Sequence, residues 1–151
     1  MARLARGAAT GPCVAGRFRY TSLMKEMPPP SAPCGEFHAR EGRLELRLSL
    51  FRQGPDLHAF LCGGESHVGA TALAAPGEAT QVCQRPGHRE GALAGLVARR
   101  LAEAFDCAVS VSAGIHFRSI TRAEIAIVER MAAGLAERCC PSPNTRSSGT
   151  C

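Results

Sequence analysis

The sequence predicts an α+β fold: a mostly antiparallel sheet, in the element order β-β-β-β-α-β-α, with two helices packed on one face. Three observations predict it. Leucines alternate strictly with polar residues over 44–50, apolar spacing changes from two residues to three and four after residue 89, and a second helical stripe follows a T-x-x-E sequence at 121–124. Early strands and late helices are the signature of a layered α+β domain rather than of alternating βαβ units.

The size and composition bound the rest. A chain of 151 residues suits one domain, and 45% hydrophobic with 21% charged residues is an ordinary globular balance. Trp is absent and aromatics make up only 5%, so the core is expected from Leu, Ala, Val and Ile. The formal net charge is +5 at pH 7 and the isoelectric point about 9.0. Arg3, Arg6, Arg17 and Arg19 fall early, and the other basic residues are interleaved with glutamates, so no basic face with aromatics between points to nucleic acid. No apolar run is long enough for a transmembrane helix, and the opening "MARLARGAATGPCVAGRF" lacks the apolar core of a secretory signal. A cytoplasmic, reduced chain is expected. Its eight cysteines contain no C-x-x-C pair, and Cys62, Cys83 and Cys107 read as small buried residues in apolar runs.

Along the chain, residues 1–40 lack periodicity and include "MPPPSAPCG", which cannot form a helix or a central strand. They read as a disordered Arg/Pro-rich leader, with Met24 an alternative start. The folded domain is expected over 41–139 and a disordered tail over 140–151. "RLELRLSLF" at 43–51 is a half-buried strand, "RQGPD" a turn, and 57–62 the returning strand of a hairpin. The run over 67–75 fits a third strand or a short helix; closure by Pro76 and Gly77 after nine residues favours the strand, and a fourth covers 79–84. Leu93, Leu96, Val97, Leu101 and Ala104 then line one face of a helix over 89–105. A buried strand follows at 107–113. Thr121 and Glu124 form a capping box for a last helix, striped by Ile125, Val128, Met131, Ala132 and Leu135 and ended before Pro141. Dimerisation through the second sheet face is expected.

The histidines carry the functional signal. "GGESHVGA" around His67, "RPGHRE" around His88 and "AGIHFRS" around His116 place an imidazole beside glycine in three successive junctions. Glycine allows backbone to approach a ligand, and imidazole can donate, accept, relay a proton or bind metal. The bland alternatives are backbone-bonded turn histidines, a helix-capping role for His88, and capping by Ser119 and Thr121. Three histidines with Glu65 or Glu90 as base would make a metalloenzyme, but no H-x-x-x-H or H-E-x-x-H spacing supports one. No nucleophile elbow, Walker loop or G-x-G-x-x-G occurs.

Taken in order, "SHVGATALAAP", "RPGHREGALA" and "VSAGIHFRSITRAEI" resemble the LpdD-like prenylated-flavin chaperone domain over roughly 43–137. This family provides the small subunit associated with gallate-type decarboxylases, and its fold is similar to that of a proteasome-assembly chaperone. The resemblance implies a non-catalytic accessory protein, a prenylated-FMN chaperone or maturation factor for a UbiD-like decarboxylase, with a flavin prenyltransferase as a further partner and a homo-oligomeric state. A structural assembly subunit without flavin is the alternative. The family's segments fall on His67 and Gly69, on Gly87 and His88, and on Gly114, Ile115 and His116. Where the family often has an acidic residue and an asparagine, this chain has Arg118 and Ser119, and the stretch between 76 and 82 is shorter. The reversed charge suits a flavin phosphate and removes a metal or proton-relay role. Together with Arg85 and Arg89 beside a helix start, these residues form the expected prenylated-FMN site, with no catalytic and no metal-binding residue assigned.

Overall fold

The computed structural model describes residues 34–140, so the expected leader over 1–33 and tail over 141–151 lie outside the described residues. Six strands and two helices follow one another as β1 (Gly35–Glu41), β2 (Leu44–Gln53), β3 (Asp56–Gly64), β4 (Ala70–Ala74), β5 (Gln81–Gln84), α1 (Gly91–Phe105), β6 (Val109–His116) and α2 (Arg122–Cys139). They form the α+β layer expected, with one strand more and with a mixed sheet.

The additional strand corrects the expected domain start. Gly35–Glu41, all but its last residue assigned from sequence to the leader, pairs antiparallel with β2 along its whole length. Phe37 and Ala39 pack against the core while Glu36, His38 and Arg40 face outward. An edge strand needs only one apolar face, and this one is short and follows a proline-rich stretch that masks its alternation.

β1, β2 and β3 form a meander, β4 pairs antiparallel with β5, and β6 inserts between β3 and β4 to give the order β1-β2-β3-β6-β4-β5. β6 runs parallel to β3 and antiparallel to β4. The parallel pair arises because the chain leaves β3, builds β4, β5 and α1, and crosses back. Its residues explain the central position. Val109, Val111 and Ala113 are almost fully buried, and β-branched side chains suit a strand with neighbours on both sides.

The register stacks Leu48, Leu61, Ala113 and Ala70 across neighbouring strands, and Leu50, Ala59, Val111 and Ala72 in the next row. All are buried beneath the helices, in one cluster with Ala94, Val97, Ala98 and Leu101 of α1 and Val128, Ala132 and Leu135 of α2. Each fully buried leucine contributes about 1.5–3 kcal/mol, and the alanines set how closely helix and sheet approach. On the opposite face Phe60 and Leu73 stay exposed among Thr71, Ser110 and Ser112, with Phe51 edge-on to Phe60 at 5.3 Å. His58 also lies there, between Ser110 and Gln53. Cys83 is exposed on β5 and Cys62 and Cys107 are half-buried, so none of the three is the buried residue expected. No helix of the described residues is long and apolar enough to cross a membrane.

Candidate functional site

Three backbone connections bring the histidine loops together. Glu65 N donates to His116 O at 2.8 Å, Gly69 N to Ala113 O at 2.9 Å, and Arg85 N to Gly69 O at 2.9 Å. The 65–69 loop is thereby laid over the C-terminal end of β6, with the 85–88 turn beside it. Gly114 makes this crossing fit. A Cβ there would stand 1.5 Å from His67 O, well inside any contact distance. A Cβ on Gly69 would meet the Glu90 carboxylate and the His88 ring at 2.6 and 2.8 Å.

The result is a histidine cluster. His67 and His88 meet Nε2 to Nε2 at 2.7 Å, and the centroid of His116 lies 5.8 Å from that of His67. His67 Nδ1 stands 3.1 Å from Glu65 O and His88 Nδ1 3.2 Å from Pro86 O. Among the described residues no group of three or more His, Cys, Asp or Glu is arranged to hold a metal ion. His88 does not cap α1, whose N-cap is Glu90.

These rings form the rim of a cavity of about 800 Å³ between the first turns of α1 and α2. Its wall is apolar: Leu93 and Leu96 from α1, Ile125 and Val128 from α2, Ile115 from the end of β6 and Ile120 from the connection between β6 and α2. Gly87, Arg89, Glu90 and Glu129 complete the polar edge. An apolar body with a few convergent polar groups, within about 300–1,000 Å³, is the ordinary form of a small-molecule site. A second hollow, of about 600 Å³ between β1 and α2, is more open and is edged by His38, Arg40, Glu137 and Arg138.

α2 is set in place by its capping box. Thr121 Oγ1 accepts from Glu124 N at 3.2 Å, and the Glu124 carboxylate accepts from Thr121 N at 2.9 Å. Arg43 at the start of the β2 hairpin donates to both Glu124 oxygens, at 2.6 and 3.0 Å, and to the Arg118 carbonyl at 3.1 Å. The Arg43 hydrogen bond and then the Thr121 N–H hold the Glu124 carboxyl down at about 2, from 4.5. Glu124 therefore stabilises the fold in full above about pH 4.5, and this contribution is lost as the pH falls to about 2, where the folded carboxylate takes its proton. Urea midpoints followed from neutral to acid pH are expected to drop less steeply over that window in Glu124→Gln than in the wild type; equal slopes would show that Glu124 contributes nothing there.

Residues 40–142 match the family model of the prenylated flavin chaperone LpdD-like domain. The chain belongs to this family. No curated protein matches it.

Within the LpdD-like domain, His67, Gly87, His88, Arg89 and His116 line the cavity, whereas the other residues expected at the site do not. Gly69 and Gly114 permit the close crossing of the loops. Arg85 Nη1 donates to Val68 O at 3.0 Å, and Arg118 Nε pairs with Glu65 at 2.7 Å in solvent. Ser119 adopts a left-handed conformation, φ 51°, in the turn before Thr121 rather than capping the helix. That the apolar wall comes mostly from the two helices was the part missing from the sequence reading of the site. Leu93, Leu96, Ile125 and Val128 have the spacing of core stripes, and the same spacing lines this LpdD-like cavity.

Proposed function

We propose that this LpdD-like domain is a non-catalytic accessory protein that binds prenylated FMN transiently and passes it to a UbiD-like decarboxylase. One observation carries the reading: a cavity of about 800 Å³ joins an apolar wall to a histidine and arginine rim. The donor set fits the cofactor. A fused, prenyl-bearing aromatic ring suits the wall of Leu93, Leu96, Ile125 and Val128, and a phosphate suits the rim. The flavin's own chemistry is exercised in the decarboxylase; here the residues bind it, orient it and keep water from the ring. The exposed Phe60 and Leu73 face supplies a surface for a second copy or for the large subunit.

Anaerobic titration with reduced prenylated FMN and with FMN, followed by calorimetry and absorbance, tests the proposal. Micromolar binding is expected, weakened about tenfold in His116→Ala through the loss of a polar contact of about 1.4 kcal/mol. Absence of binding to both flavins would overturn it and leave protein assembly as the function.

A further inference from the structure

Two neutral rings can make the His67–His88 contact only by giving up one of the two Nδ1 contacts to backbone carbonyls. Each Nδ1 stands against a backbone carbonyl, which only accepts, so both contacts are hydrogen bonds only when both Nδ1 atoms carry hydrogen. A neutral imidazole has a single N–H, which would leave a bare lone pair on each Nε2. Yet the two Nε2 atoms face each other at 2.7 Å. One further proton satisfies the arrangement: Nε2–H of one ring donates to Nε2 of the other. The two rings then hold three N–H groups and one positive charge.

We propose that His67 and His88 share this proton and that the resulting imidazole–imidazolium pair is the subsite for a phosphate monoester. The ligand class rests on the flavin-pocket reading above. The other cations originally available are engaged: Arg85 donates to Val68 O, and Arg118 pairs with Glu65. Arg89 and the histidine pair remain as the positive groups of the cavity, with His116 beside them and with Glu90 and Glu129 as the acidic ones. When a phosphate oxygen arrives, the shared Nε2–H turns from the neighbouring ring to the oxygen. A neutral acceptor is thereby exchanged for a charged one, the stronger hydrogen bond, and no proton enters or leaves. The pair also ties the 65–69 loop to the 85–88 turn, so the donor is already oriented before the ligand enters.

Long-range proton–nitrogen NMR of the ring nitrogens in the full chain at neutral pH tests the shared proton without any ligand. The expected spectrum shows three of the four ring nitrogens of His67 and His88 protonated, with assignments from His67→Ala and His88→Ala. Two protonated nitrogens, one on each ring at either position, would overturn the proposal. Inorganic phosphate is expected to shift these signals, and His88→Gln, which keeps amide donors but loses the charge, is expected to weaken FMN about tenfold while leaving riboflavin unchanged. Equal weakening of FMN and riboflavin would also overturn the subsite. The two readings fail separately: phosphate shifts without flavin binding would remove only the flavin role, and flavin binding with a neutral pair would remove only the shared proton.

Discussion

Gly114→Ala is expected to destabilise the domain by about 3 kcal/mol, the upper range for overpacking a site that cannot relax. The added methyl would meet His67 O at 1.5 Å, and neither side can yield cheaply. On one side is β6, bonded to β3 and β4; on the other is a loop fixed by Gly69 N to Ala113 O. The midpoint of urea unfolding is the measurement, with the denaturant slope expected to stay constant. The protein that still folds should bind flavin more weakly, since the methyl displaces His67. An unchanged midpoint would mean that the loop does not cross Gly114 as described.

Leu96→Asp is expected to leave the fold intact and to weaken both FMN and riboflavin about a hundredfold. Leu96 is half-buried in the cavity wall, so its carboxylate can stay hydrated in the free protein but loses water when an aromatic ring covers it. Riboflavin is the informative ligand because it has no phosphate. Leu73→Asp, on the opposite sheet face, serves as the control and should bind both flavins normally. If Leu73→Asp weakened flavin and Leu96→Asp did not, the ligand surface would lie across the sheet from the helices.

Much of the fold was legible because its signals are local. The leucine alternation of β2 and the T-x-x-E box of α2 each state their structure within a few residues, and both appear as expected. β1 was not legible, since Phe37 and Ala39 are too few to establish a period after a run of prolines. The place of β6 was hidden for a different reason: insertion between β3 and β4 is a relation among distant segments, and no residue within 109–116 records its neighbours. The site divides in the same way. Glycine-flanked histidines showed where ligand chemistry gathers. Which arginines remain available depends on Glu65 and the Val68 carbonyl, partners that only the folded chain brings within reach.

The late insertion of β6 bears on how the protein comes into being. Strands β1, β2 and β3 can pair as each emerges from the ribosome, because their contacts join consecutive segments. β4 and β5 can form only a two-stranded ribbon by themselves, and such a ribbon is barely stable in water. The sheet becomes continuous when residues 109–116 are available to bridge its halves. Those same residues deliver His116 and the floor under His67. A nascent or truncated chain that lacks them therefore has neither a continuous sheet nor a ligand cavity, and the capacity to hold a cofactor arises in the same step that completes the fold.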